Sequence, residues 1–306
     1  ESMEKAINFY RQALAIEPEY AAAWDGIANN YINQTANGLR TMDEGFTQAR
    51  KAAMKALIID PDYASAHARL GWIEMFYDND LKAATQHFEH ALSLEPANDM
   101  IIGNAAMLLL YLGRFDQAIT LQQYTISRDP INPAIHGNLG FSYLRAGRWD
   151  ESIASSRTAL QLSPGYLGAY YAIGTALLMK GEAQEALKEF ARDEDEEYRV
   201  KGAAVALYSL GRQEESLNKL NELIERWGEQ WPSEVAQVYA WIGDADAAFD
   251  WLEKAVEQKE QGLLDQCVQP FCTPLHTDPR WEKFRRRVGN STDQLEAIEF
   301  KVTLPH

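Results

Sequence analysis

Two cysteines occur among the 306 residues, Cys267 and Cys272, and their spacing in CVQPFC is wrong for a CxxC redox or zinc motif. With no cluster of histidines beside them, reduced unpaired thiols are expected, consistent with a cytosolic compartment, with a periplasmic disulfide across this short loop as the other reading. No run of about 18 apolar residues is present; the densest stretch, Ala105 to Gly113 (AAMLLLYLG), has the length of a buried helix. Nothing resembling a signal peptide is found, and the chain opens at Glu1-Ser2-Met3 within a helical pattern, as expected of a segment excised from a longer protein. GxSxG, the phosphate-binding loop and GxGxxG after a strand are all missing. Basic residues are also scarce: 29 against 45 acidic ones, a net charge of −16. Such a surface repels nucleic-acid backbones and anionic lipid, so neither is expected as a partner.

What is present is a period. Pro96, Pro130 and Pro164 stand 34 residues apart, and so do Gly113, Gly147 and Gly181. Self-similarity at this spacing implies supersecondary units that bury their apolar faces only by stacking. One set of helices carries small residues closed by proline: Ala6, Tyr10, Ala13 and Pro18; Ala49, Ala53, Ala56 and Pro61; Ala84, Phe88, Ala91 and Pro96; Ser152, Ser156, Ala159 and Pro164. The alternate set carries Trp24, Ile27, Ala28 and Tyr31, then His136, Leu139, Gly140 and Tyr143, then Tyr170, Ile173, Gly174 and Leu177.

These quartets resemble the tetratricopeptide repeat, whose first helix reads W-x2-L-G-x2-Y. The resemblance implies an all-α solenoid, a right-handed superhelix of helix-turn-helix pairs. Residues 1–20 are then the second helix of an incomplete repeat. About seven repeats fill 21–260, starting near Ala21, Ala64, Asp99, Pro133, Leu167, Glu197 and Gln230. Residues 261–289 form an extended wrapping segment (Gln266 to Pro279) and a capping helix built on Trp281, Phe284 and Val288. Residues 290–306 are a tail of little organisation.

The period fails at three places. Pro18 to Pro61 is 43 residues, the excess lying around Asn33 to Glu44, which predicts a lengthened first helix or a longer loop. Pro61 to Pro96 is 35, the extra residue falling in Tyr77 to Asp80. After Phe190 the acidic run Asp193 to Glu197 replaces the closing proline, and Gly181 to Gly211 is only 30. A tightened or bent stack is expected there, with the run forming a solvated turn whose last acids favour the next helix N-terminus; a hinge or a basic-partner contact are the other readings.

A narrower resemblance rests on the long insertion, the YDND turn and the closing Pro274, Leu275, Asp278, Pro279, Arg280 and Trp281. These are similar to the C-terminal repeat regions of bacterial multidomain regulators, which join such repeats to a winged-helix DNA-binding domain, a class III nucleotide cyclase or a Ser/Thr kinase, often with a TolB-like segment. The resemblance implies a sensor or docking module and carries no catalytic residue onto this chain. The unpaired thiols point to a cytoplasmic location, with a periplasmic one as the alternative if a membrane span of the kind such regulators often carry precedes the repeats.

In this fold the concave groove is lined by first helices. Its expected lining is Asn29, Arg69, Trp72 and Phe76; Asn104, Met107 and Tyr111; Asn138, Phe141 and Arg145; and Tyr171, Tyr208, Gln237 and Trp241. Aromatic and methionine side chains suit adaptable partner contacts. Asn104 and Asn138, one period apart, have the placement of an amide ladder for the backbone of an extended peptide, with helix-to-helix hydrogen bonding as the other reading. Trp72, Phe76, Met107 and Phe141 are alternatively core, or lie beneath a C-terminal segment folded back. The Lys and Asn set of the chaperone-type carboxylate clamp is not reproduced. His87 and His90 share a helix face without a third ligand and read as solvated; no metal or cofactor is expected.

The pattern therefore predicts a non-catalytic module that binds a protein or peptide partner. Self-association as a homodimer and an unrecognised enzyme site in the groove remain as alternatives.

Overall fold

The computed structural model describes residues 2–302 and Leu304; Glu1, Thr303, Pro305 and His306, the ends of the expected first helix and tail, lie outside the described residues. Among the described residues every regular element is helical. The chain forms two compact units, residues 1–108 with 295–306, and residues 109–294.

The first unit contains α1 (Ser2–Ile16), α2 (Ala21–Ala36), α3 (Met42–Ile59), α4 (Ala64–Ile73), α5 (Leu81–Leu94) and most of α6 (Asp99–Tyr111). Helix α2 pairs with α1 and α3, and α4 with α5. The core here is Ile7, Ile27, Tyr31, Phe46, Ala49, Ala53, Leu70 and Ile73, so the small residues of the repeat pattern sit where helices cross. The long insertion is absorbed by lengthening both helices of the pair, to 16 and 18 residues, with residues 37–41 left as the turn. Thr41 caps α3 by accepting from the Glu44 N–H at 3.3 Å.

The extra residue between Pro61 and Pro96 is taken up earlier than its turn. Glu74–Asp78 continues α4 as a π-helical turn, and Asn79 closes it in the left-handed region at φ 56°. A π-turn is the means by which a helix accommodates one residue too many without losing its axis.

The second unit contains α7 (Phe115–Arg128), α8 (Pro133–Arg145), α9 (Trp149–Leu162), α10 (Ala169–Met179), α11 (Ala183–Phe190), α12 (Glu196–Ser209), α13 (Gln213–Trp227), α14 (Pro232–Ile242) and α15 (Ala245–Glu257). Short α16 (Leu263–Gln266), a 3-10 helix at Pro270–Thr277, α17 (Pro279–Arg287) and α18 (Thr292–Glu296) follow. Gly113, Gly147 and Gly181 all have φ between 71° and 83°, so the glycine period marks left-handed positions in the turns between consecutive helices.

Three local expectations change. The acidic run is not simply solvated: Asp193 is 2% exposed, and its carboxylate accepts from the N–H groups of Tyr171 (2.9 Å) and Asp195 (3.0 Å). Asp195 then caps α12 through the Glu197 and Tyr198 N–H groups. Residues 270–277 are coiled rather than extended, because three residues per turn bring Phe271, Cys272 and Leu275 into the core. The terminal segment is also more ordered than a tail: Asn290, Ser291, Ile298 and Phe300 are buried, and the Lys301 N–H donates to Glu89 Oε1 at 2.9 Å.

Asp278 caps α17 through the Arg280 N–H (2.8 Å), and Trp281, Phe284 and Val288 are buried. The Asp-Pro-Arg-Trp motif thus has a structural use. It starts a helix whose apolar side packs inward.

Candidate binding surfaces

In the first unit the expected lining residues remain partly open. Asn29, Arg69, Trp72, Phe76, Asn104 and Met107 are all half-buried. Trp72 and Phe76 pack ring to ring, centroids 4.2 Å apart, one turn from each other across the junction of α4 and the π-turn. Arg69 Nε faces Asp25 Oδ1 at 3.4 Å; burial raises the Asp25 pKa, and Arg69 opposes that rise. The Asn104 amide lies 3.4 Å from Met100 Sδ. Asparagine side chains with so weak a local partner keep donors and an acceptor for something else.

In the second unit the equivalent positions behave differently. Tyr111 and Tyr171 are 2% and 4% exposed, and Gln237 is fully buried, so these three offer no surface. What covers them is the chain's own C-terminal segment. Phe271, fully buried, stands edge-on to Trp241 (5.4 Å) and to Tyr171 (6.5 Å), while Tyr171 stacks on Tyr198 at 4.5 Å. Arg145 donates from Nε and Nη2 to Asp265 Oδ1 at 3.0 and 2.6 Å. Asn290 Nδ2 donates to the Tyr111 carbonyl at 2.8 Å. Phe141 is half-buried beneath the Arg145 guanidinium, Tyr208 and Trp241 are half-buried, and Asn138 is exposed.

Beneath this segment lies a polar network that the repeat frame does not reveal. Lys201, 2% exposed, donates to Glu234 and lies 4.6 Å from the Tyr171 ring centroid. Burial lowers the ammonium pKa, but Glu234, with Tyr171 and Tyr198 behind it, outweighs burial and keeps it charged. Gln237 Nε2 donates to Gln266 Oε1 at 2.9 Å, and Gln266 Nε2 to Ser233 Oγ at 3.0 Å. The Ser233 N–H and hydroxyl both donate to Glu260, whose pKa burial pushes up to about 8. Glu197 is pushed to about 7 by burial and by Glu234. Lys201, Ser233, Gln237, Glu260 and Gln266 each have a hydrogen-bond partner within it, so the network reads as the foundation of the C-terminal segment. Its only advance signal is that lysine, serine and glutamine fall on otherwise apolar helix faces.

Cys267 and Cys272 are free thiols; burial raises both, Cys267 to about 12. His90 is exposed, whereas His87 is less solvated than expected. His67 Nδ1 meets His87 Nδ1 at 2.9 Å, and His67 Nε2 donates to the Pro61 carbonyl at 2.9 Å. Burial lowers His87 to about 4. No group of three metal-ligating side chains forms among the described residues, and none of the described helices is long and apolar enough to cross a membrane.

A tetratricopeptide-repeat family model matches residues 104–166 and 142–199. The human tetratricopeptide repeat protein 6 is 31% identical over 110 residues, and the match spans about a fifth of that protein (20%) and 36% of this chain. Among solved structures, the type IV pilus biogenesis factor PilW superposes with a TM-score of 0.56 at 17% identity, over 69% of this chain and 98% of that one. A tetratricopeptide repeat protein from Parabacteroides merdae gives 0.56 at 15%, over 80% and 98%. Likeness at that identity speaks to fold alone. Helix pairing, glycine period and comparisons agree: the architecture is an all-α tetratricopeptide-repeat solenoid.

Proposed function

We propose that this chain is a protein- or peptide-binding scaffold, the sensor or docking module of a bacterial signalling or transcription regulator, with the partner segment lying on the α2, α4 and α6 stripe of the first unit. The supporting observation is the contrast between the stripes. Trp72, Met107, Asn29 and Asn104 are only half-buried, whereas in the second unit Tyr111, Tyr171 and Gln237 are buried and Phe271 and Asp265 occupy the same kind of position in cis. The cis segment supplies an aromatic anchor, an ion pair and amide hydrogen bonds, the chemistry expected of a bound peptide.

An array of short extended peptides, probed with wild type and with Trp72→Ala plus Asn104→Ala, tests the reading. Loss of a shared set of binders, with thermal midpoint preserved, supports it. An identical binding profile for both proteins sinks it.

A further inference from the structure

A second surface of the first unit has a chemistry of its own. Between α1 and α3, over α2, lies an open cleft of about 470 Å³. Its floor is Trp24, Ile27 and Tyr31, spaced along one face of α2, and Met54 and Ile58 of α3 stand beside it, 51% and 79% exposed. Arg11, Lys51 and Lys55 also line it, and no acidic side chain does. Arg11 Nη2 donates to the Tyr31 hydroxyl at 3.2 Å, and the Lys55 ammonium sits 4.0 Å above the Trp24 ring. None of the three cations pairs with a carboxylate among the described residues. In a chain with 45 acidic and 29 basic residues, three such cations around one apolar floor are a local reversal of sign.

We propose that this cleft is a docking site for an acidic peptide segment carrying large apolar side chains. The volume takes one or two such side chains, and a binding site of this size is ordinary. The cations are spread rather than focused: Arg11 is on one wall, and Lys51 and Lys55 are a helical turn apart on the other. Spread charge matches carboxylates flanking an apolar residue better than it matches a single small anion. Lys55 over Trp24 and Arg11 on the Tyr31 hydroxyl hold the cations at the edge of the apolar floor. The surrounding net negative charge repels acidic segments elsewhere and so confines them to this cleft. The site uses a stripe of α2 different from that of Asn29, so it stands apart from the peptide stripe proposed above.

The test is titration calorimetry of the full chain with the peptide acetyl-Glu-Glu-Leu-Leu-Glu-Glu-amide. Saturable binding that weakens about tenfold or more in Lys51→Glu plus Lys55→Glu, and weakens with added salt, is expected. Replacing the leucines by serine or the glutamates by lysine should abolish binding to wild type. Trp72→Ala should leave it unchanged, which separates this site from the other stripe. Lys51→Gln plus Lys55→Gln serves if charge reversal disturbs the fold. No saturable binding, or equal affinity in wild type and both lysine variants, overturns the proposal. Sodium octanoate binding as tightly as the peptide, and lost in the same variants, overturns it in favour of a small carboxylate.

Discussion

Arg145 and Asp265 lie 120 residues apart in sequence, and their side chains meet through two N–H donors at 3.0 and 2.6 Å. The pair joins a first helix of the repeat array to the segment that covers it. Burial works against the Arg145 charge, while Asp265 and Tyr111 hold it on. Breaking such a pair from one side leaves the other charge in a largely dry site. Arg145→Ala or Asp265→Ala should each cost about 2–3 kcal/mol, discounted for the partial exposure of Asp265. Removing both should cost clearly less than the sum. Chemical denaturation of the four proteins checks this; additive losses would mean the two groups act independently.

Phe271 is the apolar counterpart of that ion pair. Fully buried against Tyr171 and Trp241, it should cost about 3–5 kcal/mol on truncation to alanine. The loss should be local before it is global. Cys272, also fully buried, is expected to react faster with a maleimide in Phe271→Ala at temperatures where α10 and α14 keep their amide protection. Equal labelling rates in wild type and variant would show that the segment does not open on its own.

Glu260 gives the second unit a pH dependence with a definite sign. Its pKa stands raised from 4.5 to about 8, so the folded state binds the proton more tightly than the unfolded state does. The stabilisation is full below pH 4.5 and is lost as pH rises towards 8. Glu197 and Glu74, each raised to about 7, tilt the same way, whereas His87, lowered to about 4, acts oppositely as pH falls below 6.5. Glu260→Gln stays neutral throughout. Its midpoint relative to wild type should therefore improve steadily between pH 5 and 8 by scanning calorimetry, whatever the constant offset. A difference that does not vary with pH would remove Glu260 from this role.

The helix pairs were legible in the sequence because their boundaries are set by local chemistry: left-handed glycines at Gly113, Gly147 and Gly181, prolines past the helix ends, and Asp or Asn caps. The extra residue before Pro96 could be counted, but its place could not, because counting does not say where a helix slips its hydrogen-bond register. The repeat frame assigned Tyr111, Tyr171 and Gln237 to the right helices. It could not say what would lie over them. That depends on contacts such as Arg145 with Asp265 and Gln237 with Gln266, which leave no periodic trace. Lys201 is the sharpest instance: a lysine on an otherwise apolar face of α12, it is sealed beneath the segment.

Phe190 offers the closest test of why the repeat demands small residues. It is fully buried, and a Cβ added at Gly202 would lie 2.3 Å from its Cγ, while one added at Gly174 would lie 2.7 Å from its Cδ1. In an unobstructed helix, glycine to alanine stabilises by about 0.5–1 kcal/mol. Here the sign should invert, because the ring has to move. Gly202→Ala, which strikes the ring at its root, should cost more than Gly174→Ala, each within about 1–3 kcal/mol. Gly103, helical in α6 with nothing within 4 Å of its absent Cβ, is the control and should gain stability on the same change. Phe190→Leu should soften the Gly202→Ala penalty, since a smaller side chain leaves room for the methyl. Should Gly202→Ala and Gly103→Ala shift the denaturation midpoint in the same direction, the glycines would be serving the turn chemistry of the chain, and helix packing around Phe190 would have to tolerate far more crowding than this contact allows.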